Sequence, residues 1–149
     1  MIAVDTPVGR LGIAERDSRI VRLSWSASSA GEATPLLAEA ARQVAAYFAG
    51  ELHDFDLPLD PGGSDLERRV YAAMRAIPYG RTRTYGEIAG DLGTFGKEVG
   101  QACAVNPIPV IIPCHRVLSA TGLGGYSGAG GIETKIALLK LEGGYPFLL

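Results

Sequence analysis

The chain has 149 residues, of which 47% are apolar and 20% charged, a globular balance and not that of a disordered or fibrous protein. Fourteen basic and sixteen acidic side chains leave a net charge of -2. That excludes a strongly basic domain holding nucleic acid by bulk electrostatics alone. Residues 1–64 carry 5 basic and 9 acidic side chains, whereas residues 65–149 carry 9 and 7, so an anionic partner is expected at the C-terminal part. Cys103 and Cys114 are too few for a disulfide framework, and the first residues show no basic stretch followed by an apolar one and a cleavage site. A cytoplasmic protein with no membrane span is the expectation, since the apolar runs fall far short of the roughly 20 residues a bilayer requires. His53 and His115 with the two cysteines fit no common zinc spacing, so no metal is expected.

Along the chain, Gly12–Ala14 and Ile20–Trp25 alternate weakly around the polar Arg16–Arg19, a hairpin signal with Leu23 and Trp25 on one face. Ser26–Glu32 is small and polar, a loop. Thr34-Pro35 supplies an N-cap and a proline at the first helical position. Leu37, Ala41, Val44 or Ala45, and Phe48 then space a helix over 35–49 that stops at Gly50. Asp54–Leu59 reads as an extended edge piece. Asp60-Pro61-Gly62-Gly63 marks a boundary between a small α/β part, residues 1–60, and a second part, residues 61–149.

Beyond that boundary, Ser64-Asp65-Leu66-Glu67 has capping-box spacing, and Leu66, Val70, Ala73 or Met74, and Ile77 give the next helix its stripe up to Pro78. Thr84-Tyr85-Gly86-Glu87 repeats the capping logic and opens a short helix to Leu92. After Gly93-Thr94, residues 95–104 place Phe95, Val99 and Ala102 or Cys103 on one face, and the pair of helices reads as a helix-turn-helix. Val110–Ile112, between prolines, is expected as a short buried strand or extended piece. Six glycines over 118–131 make a loop able to approach a ligand closely. Ile132, Ile136 and Leu139 space a last helix to Glu142, with Gly143 as its stop.

Pro113-Cys114-His115-Arg116-Val117 sets a soft nucleophile in a rigid frame, with Asn106 able to tie down the turn before it. A thiol becomes a nucleophile when a base or cation brings it toward thiolate. His115 supplies a proton acceptor, through a water or a local turn, and Glu142 is a candidate to hold the second imidazole nitrogen. The competing reading is a buried cysteine beside a surface histidine.

This motif, preceded by Asn106-Pro107-Ile108-Pro109 and followed by Gly125-Tyr126-Ser127-Gly128, resembles the active-site signature of the O6-alkylguanine-DNA alkyltransferases. The likeness extends to Thr6–Gly9, Tyr47–Gly50, Phe55–Leu59, Ile77–Ala89, Lys135–Leu139 and Glu142-Gly143. It implies an α/β architecture: a small N-terminal α/β part with a hairpin or small sheet, then a mostly helical domain with the helix-turn-helix. It further implies that Cys114 takes an alkyl group irreversibly from O6 of guanine, or from O4 of thymine, in double-stranded DNA approached through the minor groove by a monomer without a cofactor. By the same likeness His115 is the base acting through water, Glu142 orients it, and Asn106 stabilises the turn. Tyr85 hydrogen-bonds the flipped base, and Val117, Tyr126, Ser127 and Gly128 form its pocket and lid. Lys97 stands where the family has an arginine that fills the vacated stack, and lysine lacks the flat guanidinium for that. Two other classes share parts of this pattern: a lesion-binding protein that does not repair, and a thiol enzyme acting on a small molecule.

Overall fold

The computed structural model describes residues 1–26 and 31–143, so the middle of the expected 26–32 loop lies outside the described residues. The chain divides into two compact units, Met1–Gly62 and Gly63–Leu149.

In the first unit β1 (Ile2–Thr6), β2 (Gly9–Arg16) and β3 (Arg19–Ser24) form an antiparallel sheet in that order. The β2–β3 turn runs through Asp17 and Ser18, both at positive φ, the twist a two-residue hairpin needs. Register places Val4 opposite Leu11 and Ile13 opposite Leu23, and this face is buried with Ile20. The expected hairpin is therefore two of three strands. Ile2–Thr6 was illegible as a strand because it is short and only Val4 on it is buried.

Helix α1 (Pro35–Phe48) begins as expected, with the Thr34 hydroxyl accepting from the Leu37 amide at 3.1 Å. Its inward stripe is Leu37, Ala40, Gln43, Val44 and Tyr47, not one through Ala41 and Phe48. The cause is Gln43, which turns inward and pairs with the backbone of Asp56 in both directions, at 2.9 and 3.0 Å, as a neighbouring strand would. Tyr47 packs on Phe55 with ring centroids 5.3 Å apart. The Asp54–Leu59 piece meets the sheet edge only near its end. Ile20 donates to the Pro58 carbonyl, and Asp60 donates back to Ile20, each at 2.8 Å.

The second unit is mostly helical: α2 (Asp65–Arg75), α3 (Tyr85–Leu92), α4 (Gly96–Ala104) and α5 (Ile132–Glu142). A parallel pair of two-residue strands, β4 (Arg83–Thr84) and β5 (Val117–Leu118), joins the start of α3 to the segment after Cys114. Both predicted capping boxes form, Ser64 with Glu67 and Thr84 with Glu87. Gly93 ends α3 at φ 69, and α3 and α4 follow each other through three residues as a helix-turn-helix.

Three expectations are corrected here. Phe95 is not on the buried face of α4: it is the N-cap, with extended φ and ψ of -114 and 151, and is 75% exposed. Val110–Ile112 is a tight buried turn and not a strand, because Ile112 donates back to the Ile108 carbonyl at 2.8 Å and Val110 sits at φ 72. A β-branched residue there is strained. The α5 stripe avoids Ile132, which is 38% exposed, and buries Thr134, Lys135, Leu138, Leu139 and Glu142. Polar residues turn inward on this helix because the unit's interior supplies their partners. Among the described residues no helix is long and apolar enough to cross a membrane, and no three His, Cys, Asp or Glu side chains gather as metal ligands.

Candidate active site

Cys114, His115 and Arg116 form one turn of 3-10 helix, all buried. Asn106 shapes the approach to it. Its amide donates to the Ile112 carbonyl at 2.9 Å, and its oxygen accepts from the Ile108 amide at 3.0 Å. This clamp holds the Ile108–Ile112 turn closed immediately before Pro113.

Burial raises the Cys114 thiol above its ordinary pKa, while hydrogen bonds from Asn106 and Tyr126 and the charge of Lys135 pull it back toward thiolate. Tyr126 itself is pushed well up by burial and by the neighbouring sulfur, so its phenol keeps its proton and remains a donor. Tyr85 behaves likewise, raised to about 12 chiefly by burial, with a backbone bond from Gly125. Gly124 allows this approach. At φ 72 it occupies the left-handed region, and a Cβ there would stand 2.9 Å from the Tyr85 ring.

His115 is wholly buried, and its Nε2 lies 2.7 Å from Glu142 Oε2. A carboxylate can only accept, so Nε2 carries the proton and Nδ1 offers a lone pair. Nδ1 is buried, with no hydrogen-bond partner among the described residues. Burial lowers the His115 pKa against the opposing pull of Glu142, so the imidazole is neutral at pH 7. Arg116 grips the same carboxylate through Nε at 2.8 Å and Nη2 at 3.1 Å, and donates through Nη1 to the Ile77 carbonyl at 2.8 Å. The guanidinium fork and the imidazole together use both oxygens of the buried Glu142 carboxylate.

Lys135 is fully buried one face-repeat before Glu142 on α5. Its ammonium donates to the carbonyls of Val117 at 2.6 Å, Leu123 at 2.5 Å and Gly125 at 3.1 Å. Desolvation brings its pKa down to about 8. The lysine thereby ties the segment after Cys114 to the glycine-rich loop and places a positive charge near the sulfur.

A cavity of about 470 Å³ opens beside Cys114, lined by Tyr85, Gly100, Cys103, Ala104, Gly125, Tyr126 and Ser127. Of the pocket residues expected from the sequence, Tyr126 and Ser127 line it. Val117 and Gly128 do not: both are buried beside it, and Val117 serves through its backbone, pairing with Arg83 and receiving Lys135. Lys97 is exposed on the first turn of α4, away from the lining. Sequence reasoning missed Arg116, Lys135 and the place of Cys103. A lysine among the apolar positions of the last helix was the available signal for one of them. Cys103 is buried and also walls the cavity. Its thiol donates to Met74 Sδ at 3.5 Å and is pushed up to about 12 by burial.

Two family descriptions match the chain: "6-O-methylguanine DNA methyltransferase, ribonuclease-like domain" over residues 2–61, and "6-O-methylguanine DNA methyltransferase, DNA binding domain" over residues 65–144. The methylated-DNA–protein-cysteine methyltransferase of Mycolicibacterium paratuberculosis is 46% identical, covering 93% of this chain and 89% of that protein. The constitutive enzyme of that name in Bacillus subtilis is 40% identical over 93% and 92%. The crystal structure of Mycobacterium tuberculosis OGT in complex with DNA superposes with a TM-score of 0.84 at 44% identity, covering 95% of this chain and 91% of that one. With both units matched in order and the likeness running nearly end to end, the chain belongs to the 6-O-methylguanine DNA methyltransferase family.

Proposed function

We propose that this protein reverses alkylation damage by taking the alkyl group from O6 of a guanine in double-stranded DNA onto Cys114, once per molecule. The observation that carries this reading is the thiol itself. It is buried on a rigid turn at a cavity, with a neutral histidine next to it whose far nitrogen is fixed by Glu142.

Each residue then has a task. Neighbouring side chains on a tight turn diverge, so His115 Nδ1 takes the thiol proton through an intervening water. Sulfur attacks the alkyl carbon in line, the S–C bond forms and the C–O6 bond breaks. The departing guanine is held by a hydrogen bond from the Tyr85 phenol, which a pKa of about 12 keeps protonated at pH 7. It takes up one proton from water, matched by the thiol proton that His115 passes back to water. The thioether has no hydrolysable bond, so Cys114 is consumed. Asn106 holds the turn, and the Tyr126–Gly128 segment closes over the base. O6 inside a duplex is shielded from in-line attack, so the nucleotide must rotate out of the stack. The helix-turn-helix presents α4 to the minor groove, which carries little base identity and suits a protein that inspects many sequences. The protein works in the cytoplasm as a monomer, residues 1–60 forming an α/β domain and 61–149 the domain that binds DNA and transfers the group.

Single-turnover transfer from an O6-methylguanine duplex tests this. Cys114→Ser is expected to lose all methyl uptake and keep duplex binding, and methyl uptake by that variant contradicts the assignment.

A further inference from the structure

We propose that Phe95 is the side chain that enters the base stack when the nucleotide leaves it, while Lys97 meets the phosphates. The inference rests on the DNA-directed reading above and adds the residue that opens the duplex.

Among the described residues Phe95 is the most exposed large apolar side chain, at 75%, ahead of Val105 at 58%, Met1 at 41% and Ile132 at 38%. Its backbone is nonetheless firmly held. The Phe95 carbonyl accepts from Glu98 at 3.0 Å and Val99 at 3.3 Å, and the preceding Thr94 amide donates to Ala89 at 3.0 Å. The Thr94 hydroxyl bonds the Glu98 carboxylate, which gives that charge a local partner at the helix start. The ring therefore stands in water on a fixed mount, at the tip of the helix-turn-helix.

The same helix lines the cavity. Gly100, Cys103 and Ala104 face it, and Phe95 precedes Gly100 by five residues, a rise of about 7 Å or roughly two base steps. A flipped base at Cys114 would thus leave its gap within reach of the ring. A vacated stack is flat and apolar, and phenylalanine is one of the side chains that wedge into minor-groove base steps. The ammonium of Lys97, exposed on the adjacent turn, is compact and strongly hydrated, which suits it to phosphate and not to a stack.

The test compares transfer from a duplex with transfer from free O6-benzylguanine, for wild type, Phe95→Ala, Phe95→Trp and Lys97→Ala. 2-Aminopurine beside the lesion reports unstacking. Because Phe95 lies outside the core, the alanine variant is expected to fold, which circular dichroism checks. Phe95→Ala is expected to lower the duplex-to-free-base rate ratio about tenfold or more and to lose the fluorescence rise, with tryptophan restoring both. Lys97→Ala is expected to weaken duplex affinity and reduce its salt slope by about one. A Phe95→Ala protein that keeps the wild-type ratio and fluorescence rise overturns the wedge alone. Wild-type protein that takes the alkyl group from neither substrate overturns the acceptor reading, and the wedge with it.

Discussion

At Glu142 one buried carboxylate serves two neighbours, the His115 ring and the Arg116 guanidinium. Removing either charge of the buried pair strands the other. Arg116→Met is therefore expected to cost about 3–5 kcal/mol of stability, measured by urea unfolding. His115→Ala keeps the pair and removes the base, so single-turnover transfer is expected to slow about a hundredfold or more while the duplex stays bound. Acid acts through the same histidine. Its folded pKa is lowered, so the unfolded chain takes up a proton that the folded one resists. Stability from this group is present above about pH 6.5 and declines as pH falls below it toward the folded value. The transfer rate is expected to stay level through about pH 6.5 and to fall only in more acidic buffer. A rate that halves at the ordinary histidine pKa contradicts a desolvated base.

Helix α5 carries two buried ionisable side chains, Lys135 and Glu142, two turns or about 10 Å apart along its axis. Lys135→Met is expected to release the 123–125 backbone, seen as faster amide exchange there. Its pKa of about 8 lies below the ordinary lysine value of 10.5, so between those pH values the unfolded chain binds more protons. Wild type should accordingly gain stability over Lys135→Met as pH rises through that window. The capping boxes and helix stops of this unit were legible because they are local: a hydroxyl, a glutamate three residues on, a glycine at the end. The α5 and α1 faces were not, because Lys135 and Gln43 turn inward for backbone partners 10 to 18 residues away in the chain. Periodicity assigns such residues to the solvent. Cys114, His115, Glu142 and Tyr85 were proposed from the motif and the family likeness, and the fold sets His115 against Glu142 and Cys114 and Tyr85 on one cavity. Arg116 and Cys103 needed the fold to show what they face.

Across the molecule, acidic side chains concentrate in residues 1–64 and basic ones in 65–149, and the second unit holds every residue assigned to the chemistry. It also holds two cysteines on one cavity, and only one of them is expected to be alkylated. Cys103 is held as a thiol by burial, at a pKa of about 12, and donates to Met74. Burial raises Cys114 as well, but it alone receives side-chain hydrogen bonds, from Asn106 and Tyr126, that favour the thiolate. The most direct measurement is intact mass followed by peptide mapping after wild-type protein meets excess O6-methylguanine duplex. The expected result is the gain of a single methyl in place of one hydrogen, on the peptide bearing Cys114, with no second addition on longer incubation. An unchanged mass, repeated turnover, or a methyl on Cys103 would contradict it.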